Sequence, residues 1–243
     1  MLGDFIGLFF FLAVFLAALG GIVGWLIYTA GKKNYERSVY YEITHNSYSK
    51  VRRDLGLFGE YYTYLNLKDI TPPGCFLFNL YLPKGDGKTT EIDVVFIHTS
   101  GIYVFESKNY SGWIFGTESQ KQWTQTLPTG GTAQKNHFLN PIMQNNMHIR
   151  YLQEQMKDYP DALYHSFILF SDRCVLKNIK MTEGKATVIQ RYQVGKEVTA
   201  RMNVVGEVLS NEQVQEIYAR LYPFTQVSDE VKMAHVAGVG GMQ

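Results

Sequence analysis

Asp93, Glu106 and Lys108 are the residues whose types and spacing could do chemistry. The stretch T-E-I-D-V-V-F-I-H-T-S-G-I-Y-V-F-E-S-K-N over residues 90–109 reads as two apolar strands, 92–97 and 102–106, joined by a turn at His98-Thr99-Ser100-Gly101. A turn centred between Thr99 and Ser100 sets Asp93 opposite Glu106 and Glu91 opposite Lys108. Opposite residues of an antiparallel pair carry their Cβ atoms roughly 5 Å apart on one face. Two carboxylates that close repel unless a proton or a cation lies between them. Glu106 and Lys108 share a face because strand side chains alternate. The pattern suits a divalent metal held by Asp93 and Glu106 with a cationic helper at Lys108. Carboxylate oxygens are the ligands Mg²⁺ takes, and the ion activates water while a nearby cation stabilises the attacked phosphate. The alternative is an ordinary surface pairing in which Lys108 partners Glu91, worth roughly 0–1 kcal/mol.

Other chemistries find less support. The two cysteines, Cys75 and Cys174, exclude a Cys-x-x-Cys zinc cluster and a disulfide-stapled scaffold. His98 sits at the hairpin turn, about 17 Å along the strand from Asp93, and His137, His148 and His165 have no ligand spacing and read as surface or internally satisfied residues. Ser107 points to the opposite face from Lys108, which disfavours a Ser–Lys hydrolase. Gly85-x-Gly87 lacks the remainder of a phosphate loop. Trp113 and Trp123 read as core or rim residues. The formal net charge of +1 carries no basic field of the kind a DNA-wrapping surface needs.

Several elements must position these groups. Residues 49–67 read as a helix with Val51, Leu55, Phe58, Tyr62 and Leu65 as its apolar stripe and Glu60 near the inner surface. Residues 75–82 read as a strand before the hairpin, and 113–115 and 122–127 as short strands after it. Residues 138–156 read as a helix, with Asn140 as cap and Pro141 in its first turn. Strands at 165–170 and 186–190 and a helix at 211–221 complete a mixed α/β domain. Gln144 lies in the first turn of the 138–156 helix, able to reach a substrate backbone or orient a ligand.

Residues 5–28 contain no charged residue. A helix of that length rises about 36 Å, enough to span a hydrocarbon core of roughly 30 Å. Trp25 and Tyr28 suit the boundary at its far end. Lys32, Lys33, Arg37, Lys50, Arg52 and Arg53 follow the span and only Asp4 precedes it, which places the rest of the chain on the cytoplasmic side. Ala13, Ala17 and Gly21, with Gly20 and Gly24, give small-xxx-small pairs through which two such helices would form a homo-oligomer. The chain divides into an anchor at 1–30, a connector at 31–48, an α/β domain at 49–225 and a flexible tail at 226–243.

Taken in order, Gly59-Glu60, Glu91-Ile92-Asp93, Val104-Phe105-Glu106-Ser107-Lys108, Asn109-Tyr110-Ser111-Gly112, Trp123 and Asn140-Pro141-Ile142-Met143-Gln144-Asn145 resemble the nuclease-related domain (NERD) family. That family is a branch of the restriction-endonuclease-like PD-(D/E)xK superfamily, and the resemblance covers residues 52–172. Ile92 stands where the superfamily signature has its proline. The resemblance implies a restriction-endonuclease-like mixed sheet with flanking helices. It also implies Mg²⁺ (or Mn²⁺) at Asp93 and Glu106, a site completed by Glu60, Lys108 and Gln144, and hydrolysis of phosphodiester bonds in DNA rather than RNA. The alternative is a silent interaction or nucleic-acid-binding module of the same fold.

Overall fold

A computed structural model describes residues 2–128, 130–182 and 184–240. Four helices come first: α1 (Leu2–Tyr35), α2 (Val39–Thr44), α3 (Tyr48–Arg53) and α4 (Leu55–Leu67). They are followed by strands β1 (Cys75–Pro83), β2 (Thr89–His98), β3 (Gly101–Lys108), β4 (Gly112–Thr117), β5 (Gln122–Leu127) and β6 (Gln134–Leu139). Helix α5 (Pro141–Gln155), strands β7 (Tyr164–Phe170), β8 (Cys174–Lys180) and β9 (Thr187–Gln190), and helices α6 (Val194–Val205), α7 (Asn211–Leu221) and α8 (Asp229–Gly240) complete the chain.

The strands form two mixed sheets, ordered β1-β2-β3-β7-β9 and β6-β5-β4-β8. β1, β2 and β3 are antiparallel, whereas β7 lies parallel to β3. One face of the larger sheet packs Phe76, Phe78, Val94, Phe96, Tyr103 and Phe105 against residues of α4 and α6. The other packs Leu80, Ile92, Val95, Ile97 and Val104 against α5 and α7. In a regular strand Phe78 and Leu80 would share a face, yet they lie on opposite ones, as do Val94 and Ile92. Alternation therefore slips by one residue in both strands at the same level, at Asn79 and Asp93, while the pairing Phe78↔Val94 and Leu80↔Ile92 is kept. Asn79 takes the left-handed backbone conformation there (φ 51°).

The expected hairpin is present, with Val94↔Phe105 through His98↔Gly101 in the anticipated register. The 49–67 helix is broken in two by Asp54, whose side chain accepts from the amides of Gly56 and Leu57 and caps α4. Its core face also differs from the stripe read in the sequence. Gly59, Glu60, Thr63, Tyr64 and Leu67 are buried, and Leu55, Phe58 and Tyr62 are exposed. The 138–156 helix starts later, at Pro141, because residues up to Leu139 pair with β5 as β6.

Among the described residues, one helix is long and apolar enough to cross a membrane: the stretch Phe9–Tyr35 has a mean hydropathy of 2.5 in its best window. It runs without interruption into residues 31–48, the expected connector, which are packed rather than extended. Tyr35 and Tyr40 are wholly buried, and Tyr35 meets the rings of Tyr40, Tyr41, Tyr48 and Tyr61. The stretch 226–243, expected to be a flexible tail, contains α8, whose His235 ring stands edge-on to Tyr81; residues 241–243 lie outside the described residues.

The smaller sheet depends on one close approach. A Cβ on Gly116 would overlap the buried Trp123 indole, whose Nε1 donates to the Thr117 carbonyl. Gly116→Ala is expected to destabilise the protein by about 1–3 kcal/mol, read as a lower midpoint in chemical denaturation.

Candidate functional site

Asp93 sits where the alternation slips and the β2–β3 ladder ends, so its side chain meets backbone rather than a neighbour's side chain: the Ser107 amide donates to Oδ2 at 2.9 Å. Burial, then the negative charges of Glu106 and Glu60, push the Asp93 carboxyl well above the usual carboxylate range. Glu106, two residues from the end of β3, is buried and engaged at both oxygens. Lys108 Nζ lies 2.7 Å from Oε1 and His148 Nε2 3.1 Å from Oε2. Burial alone would raise the Glu106 pKa, but Lys108 and then His148 outweigh it and the net shift is downward. Lys108 shows the converse: burial would lower its pKa, and Glu106 with Asp93 raises it instead. Lys108 is thus a cation at neutral pH.

Gln144 completes this row, its Oε1 accepting from Lys108 Nζ at 3.0 Å. The start of α5 fixes it. Asn140 caps the helix by accepting from Ile142 N, and its amide donates to the carbonyls of Thr117, Glu118 and Gln120. Glu60 approaches from α4. Its Oε2 accepts from Tyr40 Oη and Asn79 Nδ2, both at 3.0 Å. Burial raises its pKa to about 7, with those two hydrogen bonds opposing the shift. Glu60 therefore reaches Asp93 through charge, while its hydrogen bonds run to other partners.

The structure brings Glu106, Lys108 and Gln144 into one hydrogen-bonded row beside Asp93 and sets Glu60 behind them. Three neighbours were not read from the sequence. His148 bonds Glu106 through Nε2 and Thr90 through Nδ1. It stands four residues after Gln144, a spacing that puts both on one helix face and so was available as a signal. Asn79 carries no such signal. Arg191, buried in the short turn after β9, donates from Nη2 to Ser107 Oγ at 2.9 Å. Gly59 makes room for that contact, since a Cβ there would fall 2.9 Å from Ser107 Oγ and 3.0 Å from Arg191 Nη2. Ser107 faces Arg191 while Lys108 faces Glu106, as the alternation requires. Trp123 is core, and Trp113 is exposed beneath the ammonium of Lys177.

Among the described residues, no group of three or more His, Cys, Asp and Glu side chains is arranged to hold a metal ion. The donors at Asp93 and Glu106 nonetheless fit a hard divalent cation that takes one or two carboxylates and keeps several waters. Burial first, and then the charges of Glu106 and Glu60, raise the Asp93 pKa, and a bound cation would oppose both effects.

The nuclease-related domain family model matches residues 55–171, which contain every one of these residues except Tyr40, Lys177 and Arg191. Over residues 55–171 the chain is similar to the nuclease-related domain. An uncharacterized protein of Bacillus anthracis is 29% identical over 160 residues, covering 66% of this chain and 71% of the relative. No solved structure matches. The matched region of the nuclease-related domain begins at α4 and ends just past β7, so it holds α4, the three antiparallel strands and α5 as one unit.

Proposed function

We propose that this chain is a membrane-anchored, Mg²⁺-dependent nuclease that hydrolyses phosphodiester bonds in DNA, with RNA the less favoured substrate. The observation that carries the reading is the Asp93–Glu106–Lys108 arrangement within a nuclease-related domain. Helix α1 would be the anchor, and the cations after it support a cytoplasmic position for the catalytic domain.

Asp93 and Glu106 would hold Mg²⁺, or Mn²⁺ in its place. When bound, the ion polarises the phosphoryl oxygen and makes water a better nucleophile. The chain's own residues do the rest. Lys108, held cationic by the two carboxylates, stabilises the charge that builds on the phosphoryl oxygens as water attacks and the P–O bond to the leaving oxygen breaks. Gln144 fixes the Lys108 ammonium in direction. The Ser107 amide fixes Asp93, and His148 fixes Glu106. Glu60 sets the negative charge behind Asp93.

One observation favours a second reading, a silent binding module: both Glu106 oxygens already have partners, Lys108 and His148. Incubating the full chain in nanodiscs with linear and circular DNA and with RNA separates the two. Cleavage that needs Mg²⁺ and stops with EDTA is expected. Activity no greater than that of the Glu106→Ala and Lys108→Ala proteins overturns the catalytic reading.

A further inference from the structure

Leu55, Phe58 and Tyr62 recur at three- and four-residue spacing on α4 and turn away from the sheet. They are 56%, 38% and 38% exposed, and the Phe58 and Tyr62 rings stack with centroids 5.7 Å apart. The opposite side of this helix fills the core, so an apolar face on its outer side has no role in the fold.

The surroundings of that face are specific. Helix α3 packs on α1: the Tyr48 ring lies 5.4 Å from that of Tyr28, and a Cβ on Gly31 would collide with the Tyr48 hydroxyl. The Arg52 guanidinium sits 5.7 Å from the centroids of both Tyr28 and Tyr48. Farther along α4, Tyr61 meets Tyr35 at 5.0 Å. Tyr61 beside Tyr35 and Arg52 beside Tyr28 set the two sides of the α3–α4 corner against the C-terminal part of α1. Lys50, Arg52 and Arg53 form the last turn of α3, and Lys32 and Lys33 that of α1. Two acids of this stretch are engaged: Glu36 pairs with Lys32, and Asp54 caps α4.

We propose that the corner between α3 and α4, formed by Arg52, Arg53, Leu55 and Phe58 with Tyr62 behind them, is a second membrane contact resting on the headgroups of an anionic leaflet. The proposal rests on reading α1 as the anchor. Aromatic and aliphatic side chains enter the boundary layer while arginines meet lipid phosphates, a combination that suits an interfacial surface. The contact also orients the candidate site. Asn109, next to Lys108, donates to the Leu55 carbonyl, and Arg173 donates to Asn109. The end of β3 that carries Lys108 is thereby held at the bilayer surface, so the substrate taken there is nucleic acid lying along the membrane.

Hydrogen exchange on the full chain tests this in nanodiscs of phosphatidylcholine alone and of phosphatidylcholine with phosphatidylserine. Anionic lipid is expected to slow exchange across residues 50–62, and Arg52→Gln/Arg53→Gln to remove that effect, at roughly fivefold per arginine. Residues 9–28 should be protected in every case. If they are protected and 50–62 ignores lipid composition, the second contact is overturned and the anchor stands. If 9–28 exchanges freely, both fall. If 50–62 is slowed by an oligonucleotide and not by anionic lipid, the face belongs to nucleic acid and the lipid assignment is wrong.

Discussion

Replacing Lys108 with methionine should lower the rate of Mg²⁺-dependent DNA cleavage by about 100- to 1,000-fold, the usual effect of removing one preorganised electrostatic stabiliser. The variant has a second consequence that must be separated from the first. Removing Lys108 leaves Glu106 buried with His148 as its remaining partner, and breaking a buried pair from one side costs about 3–5 kcal/mol. Lys108 is partly open to solvent, so the loss should lie at or below the low end of that range. Glu106→Gln/Lys108→Met removes both charges and is expected to recover much of the stability while staying inactive. Denaturation midpoints and cleavage rates of the single and double variants make the check. Should the double variant cleave DNA at the parental rate, Lys108 and Glu106 have no part in the chemistry.

Glu60→Gln should stabilise the protein at mildly alkaline pH and change little in acid. The folded-state pKa of Glu60 is about 7, against 4.5 for the free group, because the carboxyl is buried. The folded form therefore binds the proton more tightly than the unfolded form. Stability falls as pH rises between those two values, by up to about 3 kcal/mol once both are passed. Glutamine keeps an oxygen to accept from Tyr40 and Asn79 and carries no charge to bury. Melting temperatures of the two proteins should converge near about pH 4 and separate toward about pH 8, glutamine above glutamate. A difference that is constant with pH, or of opposite sign at high pH, would show that Glu60 is not the group responsible.

The hairpin was legible because its register follows from a turn and an apolar alternation, both local. Glu106 and Lys108 followed with it, since two residues apart on a strand means one face. The β2–β3 ladder stops at Val94↔Phe105, short of the expected Asp93–Glu106 and Glu91–Lys108 pairings, because the alternation slips at Asn79 and Asp93 together, where period-two counting fails although the β1–β2 pairing holds. Gln144 was findable from the Asn-Pro helix start. Arg191 was not, because 84 residues separate it from the Ser107 it bonds and no local pattern marks it. The same limit explains α4. A stripe of Leu55, Phe58 and Tyr62 is indistinguishable from a core stripe until the true core side is seen, and that side carries Gly59, Glu60 and Thr63. Strand β8 and helix α6 were missed because β8 alternates weakly and pairs with a strand far away in sequence.

The burial of Tyr35 at the end of α1 has a further consequence. The long apolar helix and the folded part of the chain share that tyrosine, so they are joined by a strut with no slack. Deleting everything before residue 36 would remove a filled core position along with the apolar segment, at a cost of about 3–5 kcal/mol. A soluble version of this protein must therefore begin inside the helix. With α1 spanning a bilayer as proposed, a hydrocarbon core thinner than the helix is long would tilt it, and the strut would pass that tilt to the sheet. Under that proposal, the angle of the candidate site to the bilayer would follow membrane thickness.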